Sequence, residues 1–115
     1  MLTLYGIPNC DTVKKARDWL DANRVAYAFH NYKTDGIDEV HLKIWCAKLG
    51  WEKILNWSST TFKALPDADK HNLNQEDAIA LMIEQPSMIK RPIFEKDDIL
   101  IAGFKPDLID PKILR

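Results

Sequence analysis

The chain has 115 residues, 46% of them hydrophobic and 29% charged, a balance that excludes a disordered or collagen-like polypeptide. That length predicts one folded domain. The 16 Lys and Arg against 17 Asp and Glu leave a formal net charge of −1, which argues against a general nucleic-acid binder.

Leu2, Leu4 and Tyr5 alternate imperfectly with Thr3, which predicts a short strand ending at Gly6. Pro8 and Asn9 turn the chain. Val13, Ala16 and Leu20 then fall on one helical face, so a helix is expected from about Cys10 to Ala22, stopping near Asn23. Val25, Tyr27 and Phe29 alternate with Ala26, Ala28 and His30, the period of a second strand. Strand, helix and strand in so short a stretch form a βαβ unit with parallel strands.

Asp35-Gly36 marks a turn, and Leu42, Trp45, Cys46 and Leu49 form a helical stripe closed by Gly50. A further helix is expected from the capping residue Asn74 through Ala78, Leu81 and Met82 to Gln85, where Pro86 stops it. Between these two lie a Ser/Thr-rich stretch, Asn56 to Thr61, and a polar one, Pro66 to Asn72. Gly36 to Ser87 therefore reads as helical, without a strand. Ile93-Phe94 and Ile99-Leu100-Ile101, separated by the charged turn Glu95-Lys96-Asp97-Asp98, read as an antiparallel hairpin. A short helix follows Pro106, limited by Pro111. The expectation is a single α/β (α+β) domain over residues 1–115, with a helical insertion at about 36–87.

The opening MLTLYGIPNC has neither the basic nor the long apolar region of a signal peptide, and no run approaches the ~20 apolar residues of a membrane span. Cys10 and Cys46 are too few and too scattered for a disulfide scaffold or a zinc site. A cytoplasmic protein with reduced thiols is expected, with no metal, no nucleic-acid partner and no membrane partner.

Cys10 stands where a strand hands over to a helix. Free N–H groups and the helix dipole favour an anion there, so a thiolate is stabilised, and Lys14 and Lys15 one turn on add positive potential. Packing as a small hydrophobe under a turn is the alternative. Position 13 is Val13, so there is no C-x-x-C partner, and a redox cycle at Cys10 needs a thiol from elsewhere. Cys46 belongs to an apolar stripe and reads as structural. His30, at a strand end with Tyr32, reads as structural or half-exposed, and His41 and His71 as solvated.

The run from Tyr5 to Arg17, YGIPNCDTVKKAR, resembles the opening motif of the arsenate reductase (ArsC)/Spx family, and within it the YffB-type branch. Matching features continue through Phe29-His30-Asn31-Tyr32, Asp35-Gly36, Gly50-Trp51, Thr60-Thr61-Phe62 and Ile89-Lys90-Arg91-Pro92 to Gly103-Phe104. The resemblance implies a thioredoxin-like fold, a four-stranded mixed sheet with a helical insertion after the second strand. It also implies a cis Pro92 beside an active Cys10, and an oxyanion or a glutathione carboxylate held by Arg91.

Arsenate reductases of this family hold their oxyanion with three arginines, of which only Arg91 is evident here. One expected position reads Trp57-Ser58-Ser59, with Lys63 the nearest cation, and another reads Gly103-Phe104-Lys105. Gly6 and Val13 replace the histidine and serine that flank the family's arsenate-reducing cysteine. These departures weigh against arsenate. The implied function is a monomeric thiol oxidoreductase with Cys10 as nucleophile. Arg91, Pro92, Lys14 and Lys63 would contact an oxyanion or disulfide substrate, and glutathione or another small thiol would be co-substrate rather than bound cofactor. An Spx-like regulator binding the RNA polymerase α subunit is the alternative.

Overall fold

The computed structural model describes residues 1–70 and 72–115. Contacts divide the chain into two compact units, Met1–Asp35 with Arg91–Arg115, and Gly36–Lys90.

The first unit is built on a sheet. It holds β1 (Leu2–Gly6), α1 (Asp11–Ala22), β2 (Tyr27–Asn31), a single turn α2 (Tyr32–Asp35), β3 (Ile93–Lys96) and β4 (Ile99–Ala102). The strand order is β2-β1-β3-β4. β1 and β2 run parallel, as the crossover through α1 requires, while β3 is antiparallel to both β1 and β4. This is the four-stranded mixed sheet that the resemblance implies.

The helical stripe of α1 explains the packing of one sheet face. Ala16 and Leu20 are fully buried with Leu2, Leu4 and Phe94, and Val25, Ile109 and Leu114 close the cluster. Tyr27 and Phe29 pack against it too, so the period-two reading of Val25, Tyr27 and Phe29 describes the face, although the strand itself starts two residues later than that pattern. The opposite set of strand positions carries Tyr5, His30, Ile93 and Glu95, with Tyr5 paired to both His30 and Ile93.

The second unit comprises α3 (Glu39–Leu49), the single turns α4 (Trp51–Ile54), α5 (Thr60–Lys63) and α6 (Asp67–Lys70), α7 (Gln75–Glu84) and a 3₁₀ turn at Pro86–Met88. Capping follows the sequence closely. Asp38 accepts from the His41 N–H, Ser59 from the Phe62 N–H and Asn74 from the Asp77 N–H. Gly50 ends α3 with φ at 90°, a conformation that disfavours a side chain.

One expectation needs correction and two gain detail. The charged turn is shorter than Glu95–Asp98, because Glu95 and Lys96 pair with Leu100 and Ile99 in the hairpin, leaving Asp97-Asp98 at the bend and Asp97 at φ 51°. Charged side chains on a half-exposed strand look like a turn when only composition is read. The short helix after Pro106 is 3₁₀ rather than α, Pro106–Leu108, and a second 3₁₀ turn, Pro111–Leu114, follows it, each started by a proline. The helical unit also holds β pairing outside any strand. Leu55 and Ile89 form an isolated antiparallel bridge, flanked by Lys90 N–H to Ile54 and Asn56 N–H to Met88 bonds of 2.7 Å.

Close approach, rather than φ, explains Gly6. A Cβ placed there would meet Val13 Cγ2 at 2.7 Å, and Val13 is buried. Gly6→Ala is therefore expected to lower unfolding free energy by about 1–3 kcal/mol through overpacking. Val13→Ala in the same chain should recover part of that loss, a non-additivity that denaturant unfolding of the two single variants and the double variant measures.

Candidate active site

β1 ends at Gly6, and Cys10 occupies the N-cap of α1 with extended backbone, φ −117° and ψ 122°. Its carbonyl accepts the first helical bond, 2.9 Å from the Lys14 N–H. The thiol makes no regular capping hydrogen bond. The Thr12 and Val13 N–H groups nevertheless lie close enough to favour its anion, as free amides at a helix start do. From the start of β3, the Arg91 guanidinium donates a hydrogen bond to the sulfur and adds its charge. Partial burial raises the thiol's pKa, but the Val13 amide, Arg91 and the Thr12 amide outweigh it, and the net shift is downward. Chemically, this is a setting for a half-exposed thiolate next to a fixed positive charge.

The residues singled out in the sequence end up in different places. Cys10 and Arg91 come together, and Pro92, buried, follows Arg91 through a cis peptide bond. Lys14 departs from expectation: its ammonium turns to Asp18, 3.0 Å away, and its side chain is 75% exposed. An exposed i,i+4 pair on the outer face of a helix is strongly screened, and the sulfur is served by amides and Arg91 instead. Lys63 closes α5 in the helical unit and is exposed. Lys105, at the loop after β4, is exposed as well.

Cys46 is buried in α3, and burial together with the Glu52 charge pushes its thiol pKa up. His30 is half-buried between aromatic rings, 4.8 Å from Tyr5 and 6.0 Å from Tyr32 between centroids. His41 is not simply solvated, because Nδ1 lies 2.6 Å from the Asp38 carboxylate and the ring meets the edge of Trp45. The expectation for His71 lies outside the described residues.

Three residues to which the sequence reading gave no role, Tyr5, Tyr32 and Glu95, are linked to one another. Tyr5 is 4% exposed and its hydroxyl donates to Glu95 Oε1 at 2.8 Å. Tyr32 is 2% exposed, stacks on Tyr5 at 6.2 Å, and its hydroxyl has no hydrogen-bond partner. Burial pushes the Tyr32 phenol well above the ordinary tyrosine range; Tyr5 and Glu95 add to the rise and Arg91 opposes it. The phenol is therefore neutral at physiological pH. Tyr5 reads in sequence as an apolar strand residue and Glu95 as part of a turn. Their contact depends on the β1–β3 register, for which the sequence carries no local signal.

The opposite shifts of the two cysteines predict selective labelling. Only the thiolate alkylates, so its rate rises with pH through the thiol pKa. Cys10 should react with iodoacetamide with a midpoint below the ~8.5 of a free cysteine, and Cys46 with a midpoint above it. Peptide mapping after brief alkylation at pH 7 should find the label on Cys10, and Arg91→Ala should move the Cys10 midpoint upward.

A family model described as the ArsC family matches residues 5–111. A Haemophilus influenzae protein is 39% identical over 104 residues, covering 90% of this chain and 91% of its own length. The global transcriptional regulator Spx of Enterococcus faecalis is 32% identical over 111 residues, covering 95% of this chain and 83% of the regulator. Among solved structures, a protein titled YFFB is 54% identical, with a TM-score of 0.90 over 93% of this chain and 94% of that one. An arsenate reductase (ArsC) related protein from Brucella melitensis is 46% identical, with a TM-score of 0.78 over 92% of this chain and 88% of its own. With the matching sheet, the α1 junction and similarity along nearly its whole length, the chain belongs to the ArsC family.

Proposed function

We propose that this protein is a glutathione-dependent thiol oxidoreductase in which Cys10 is the one nucleophile. The observation that carries the reading is the Cys10 sulfur at the N-cap of α1, favoured as thiolate by the Thr12 and Val13 amides and by Arg91. The Cys10 thiolate attacks one sulfur of a disulfide substrate, forms a mixed disulfide and releases the other half as a thiolate. A glutathione thiolate then attacks the substrate sulfur of that mixed disulfide, so Cys10 leaves as thiolate and glutathione is oxidised onto the substrate. The second thiol comes from solution, because Val13 stands where a C-x-x-C partner would be and Cys46 is buried. Arg91 holds a carboxylate of glutathione or of the substrate. Both cysteines are free, which suits a reducing cytoplasm, and the protein works as a monomer without a bound cofactor.

Arsenate fits this site less well. Arg91 is the one recognisable member of the three-arginine set, and each missing charge-assisted contact costs about 1.5–3 kcal/mol, or on the order of ten- to hundredfold in affinity. Gly6 and Val13 also stand where the resemblance puts the flanking histidine and serine, so neither position carries a polar side chain.

The Spx-like reading rests on 32% identity to that regulator over 95% of the chain. Against it stands Val13, which removes the two-cysteine switch. Capture of purified RNA polymerase α subunit by this protein at micromolar concentration would favour the regulator.

Incubation with oxidised glutathione should add one glutathione to the intact mass, mapped to the peptide holding Cys10. Arg91→Ala should slow the addition while leaving the melting temperature nearly unchanged. An adduct on Cys46, or an unaltered rate in Arg91→Ala, would sink the proposed site. In a glutathione-coupled assay, mixed disulfides should be reduced efficiently and low arsenate concentrations poorly.

A further inference from the structure

The strand order leaves β4 at an edge of the sheet, paired with β3 alone. One bond shows which of its backbone groups that pairing uses. The Gly103 N–H donates to the Pro92 carbonyl at 2.8 Å, which makes Pro92 and Gly103 a hydrogen-bonded pair of the ladder. Such pairs alternate along an antiparallel ladder, so Phe94–Ile101 and Lys96–Ile99 come next, with Ile93–Ala102 and Glu95–Leu100 between them. The N–H and C=O groups of Leu100 and Ala102 therefore point away from β3. Neither residue makes a backbone hydrogen bond outside the ladder. β4 reads Ile99-Leu100-Ile101-Ala102, half-buried throughout, with no proline and no charge. Natural sheets commonly blunt their edges with those residues, and this edge is bare. Asp97 and Asp98 precede the strand, and Lys105 follows it.

Beside the end of β4 lies an open cavity of about 210 Å³, with Ile101, Gly103, Leu108 and Ile109 in its wall. Ile101 and Ile109 belong to the apolar cluster under α1, so the cavity adjoins that face, and Leu108 is 79% exposed. We propose that β4 pairs with β4 of a second copy, antiparallel across a two-fold axis at Ile101. That register sets Leu100 of each copy against Ala102 of the other and uses every outward N–H and C=O of the strand. Ile99 of the second copy then faces Gly103, where no side chain stands, and it fills the cavity and covers Leu108. The acidic end at Asp97-Asp98 meets the basic end at Lys105, a match that a parallel pairing would lose. So short a contact makes a weak pair that depends on concentration. Each copy holds Cys10 and Arg91 together, so the single chain remains the working unit of the proposed chemistry.

Sedimentation of the full chain under reducing conditions, from roughly 5 to 500 µM, reads this association free of thiol-linked dimers. The average mass should rise from one chain toward two over that range. Amide hydrogen exchange at low and high concentration locates the contact. The Leu100 and Ala102 amides should slow on pairing, while those of Ile99 and Ile101, already spent on β3, change little. Ala102→Pro removes an outward donor and no ladder bond, and Leu108→Asp puts a charge into the cavity wall. Each should raise the dissociation constant by about tenfold or more and leave Cys10 alkylation at pH 7 unchanged. A monomer throughout the range overturns the proposal, as does a dimer whose Leu100 and Ala102 amides exchange as fast as in dilute protein. Self-association that both variants leave intact overturns it too. Should Ala102→Pro fail to fold, Leu108→Asp and the exchange pattern decide. The glutathione adduct, measured on the same samples, separates the two readings. Pairing without an adduct removes only the glutathione chemistry, whereas an adduct without pairing removes only the role of β4.

Discussion

The contact between Gly6 and Val13 is the constraint on which the reactive end of this protein depends. Because Gly6 has no Cβ, the methyl groups of Val13 press against the end of β1, and the first turn of α1 is held tight to the strand it follows. That places Cys10 at the N-cap, where the Thr12 and Val13 amides have no helical carbonyl to bond and turn their positive ends toward the sulfur. A side chain at position 6 would push the helix start away, and the amides with it. Stability and thiol chemistry thus share one packing contact.

The two faces of the sheet divide the remaining work. The face under α1 is apolar, with Leu2, Leu4 and Phe94 against Ala16 and Leu20, and its burial supplies the driving force for the unit. The other set of strand positions carries Tyr5, His30 and Glu95 together with Ile93, and Arg91 and Tyr32 gather at its end. Burying the Tyr5 and Tyr32 hydroxyls is costly unless they find partners. The Tyr5–Glu95 bond satisfies one pair, whereas the Tyr32 hydroxyl is left without a hydrogen bond. An unsatisfied buried hydroxyl is tolerated here in the neighbourhood of an arginine, which is where a protein gives up some stability for electrostatics around a reactive group.

Membership of the ArsC family leaves open which of its chemistries a given chain performs, and the differences here lie in individual side chains. Glycine and valine stand where the arsenate-reducing pattern has polar side chains, one arginine is evident where that pattern has three, and valine occupies the position of a second thiol. Each change withdraws a specific capability: oxyanion coordination by several guanidiniums in the second case, an internal disulfide in the third. What remains is a stabilised thiol beside one guanidinium.

Short-range features were legible from the residues alone. The stripe of Val13, Ala16 and Leu20 determined α1, the alternation of Val25, Tyr27 and Phe29 determined the buried face of β2, and Asn74 and Gly50 marked helix ends, because each depends on contacts within a few residues. The same local logic put Cys10 at a strand–helix junction and removed any near partner thiol. Composition misled where it stood in for geometry, as at Glu95 and Lys96, which lie in a strand although they look like a turn. The pairing of Arg91 with Cys10 was accessible only through resemblance, and the bond from Tyr5 to a residue 90 positions away not at all. Such contacts are decided by strand order and register, which follow from how the whole sheet buries its apolar face, and no local periodicity encodes them.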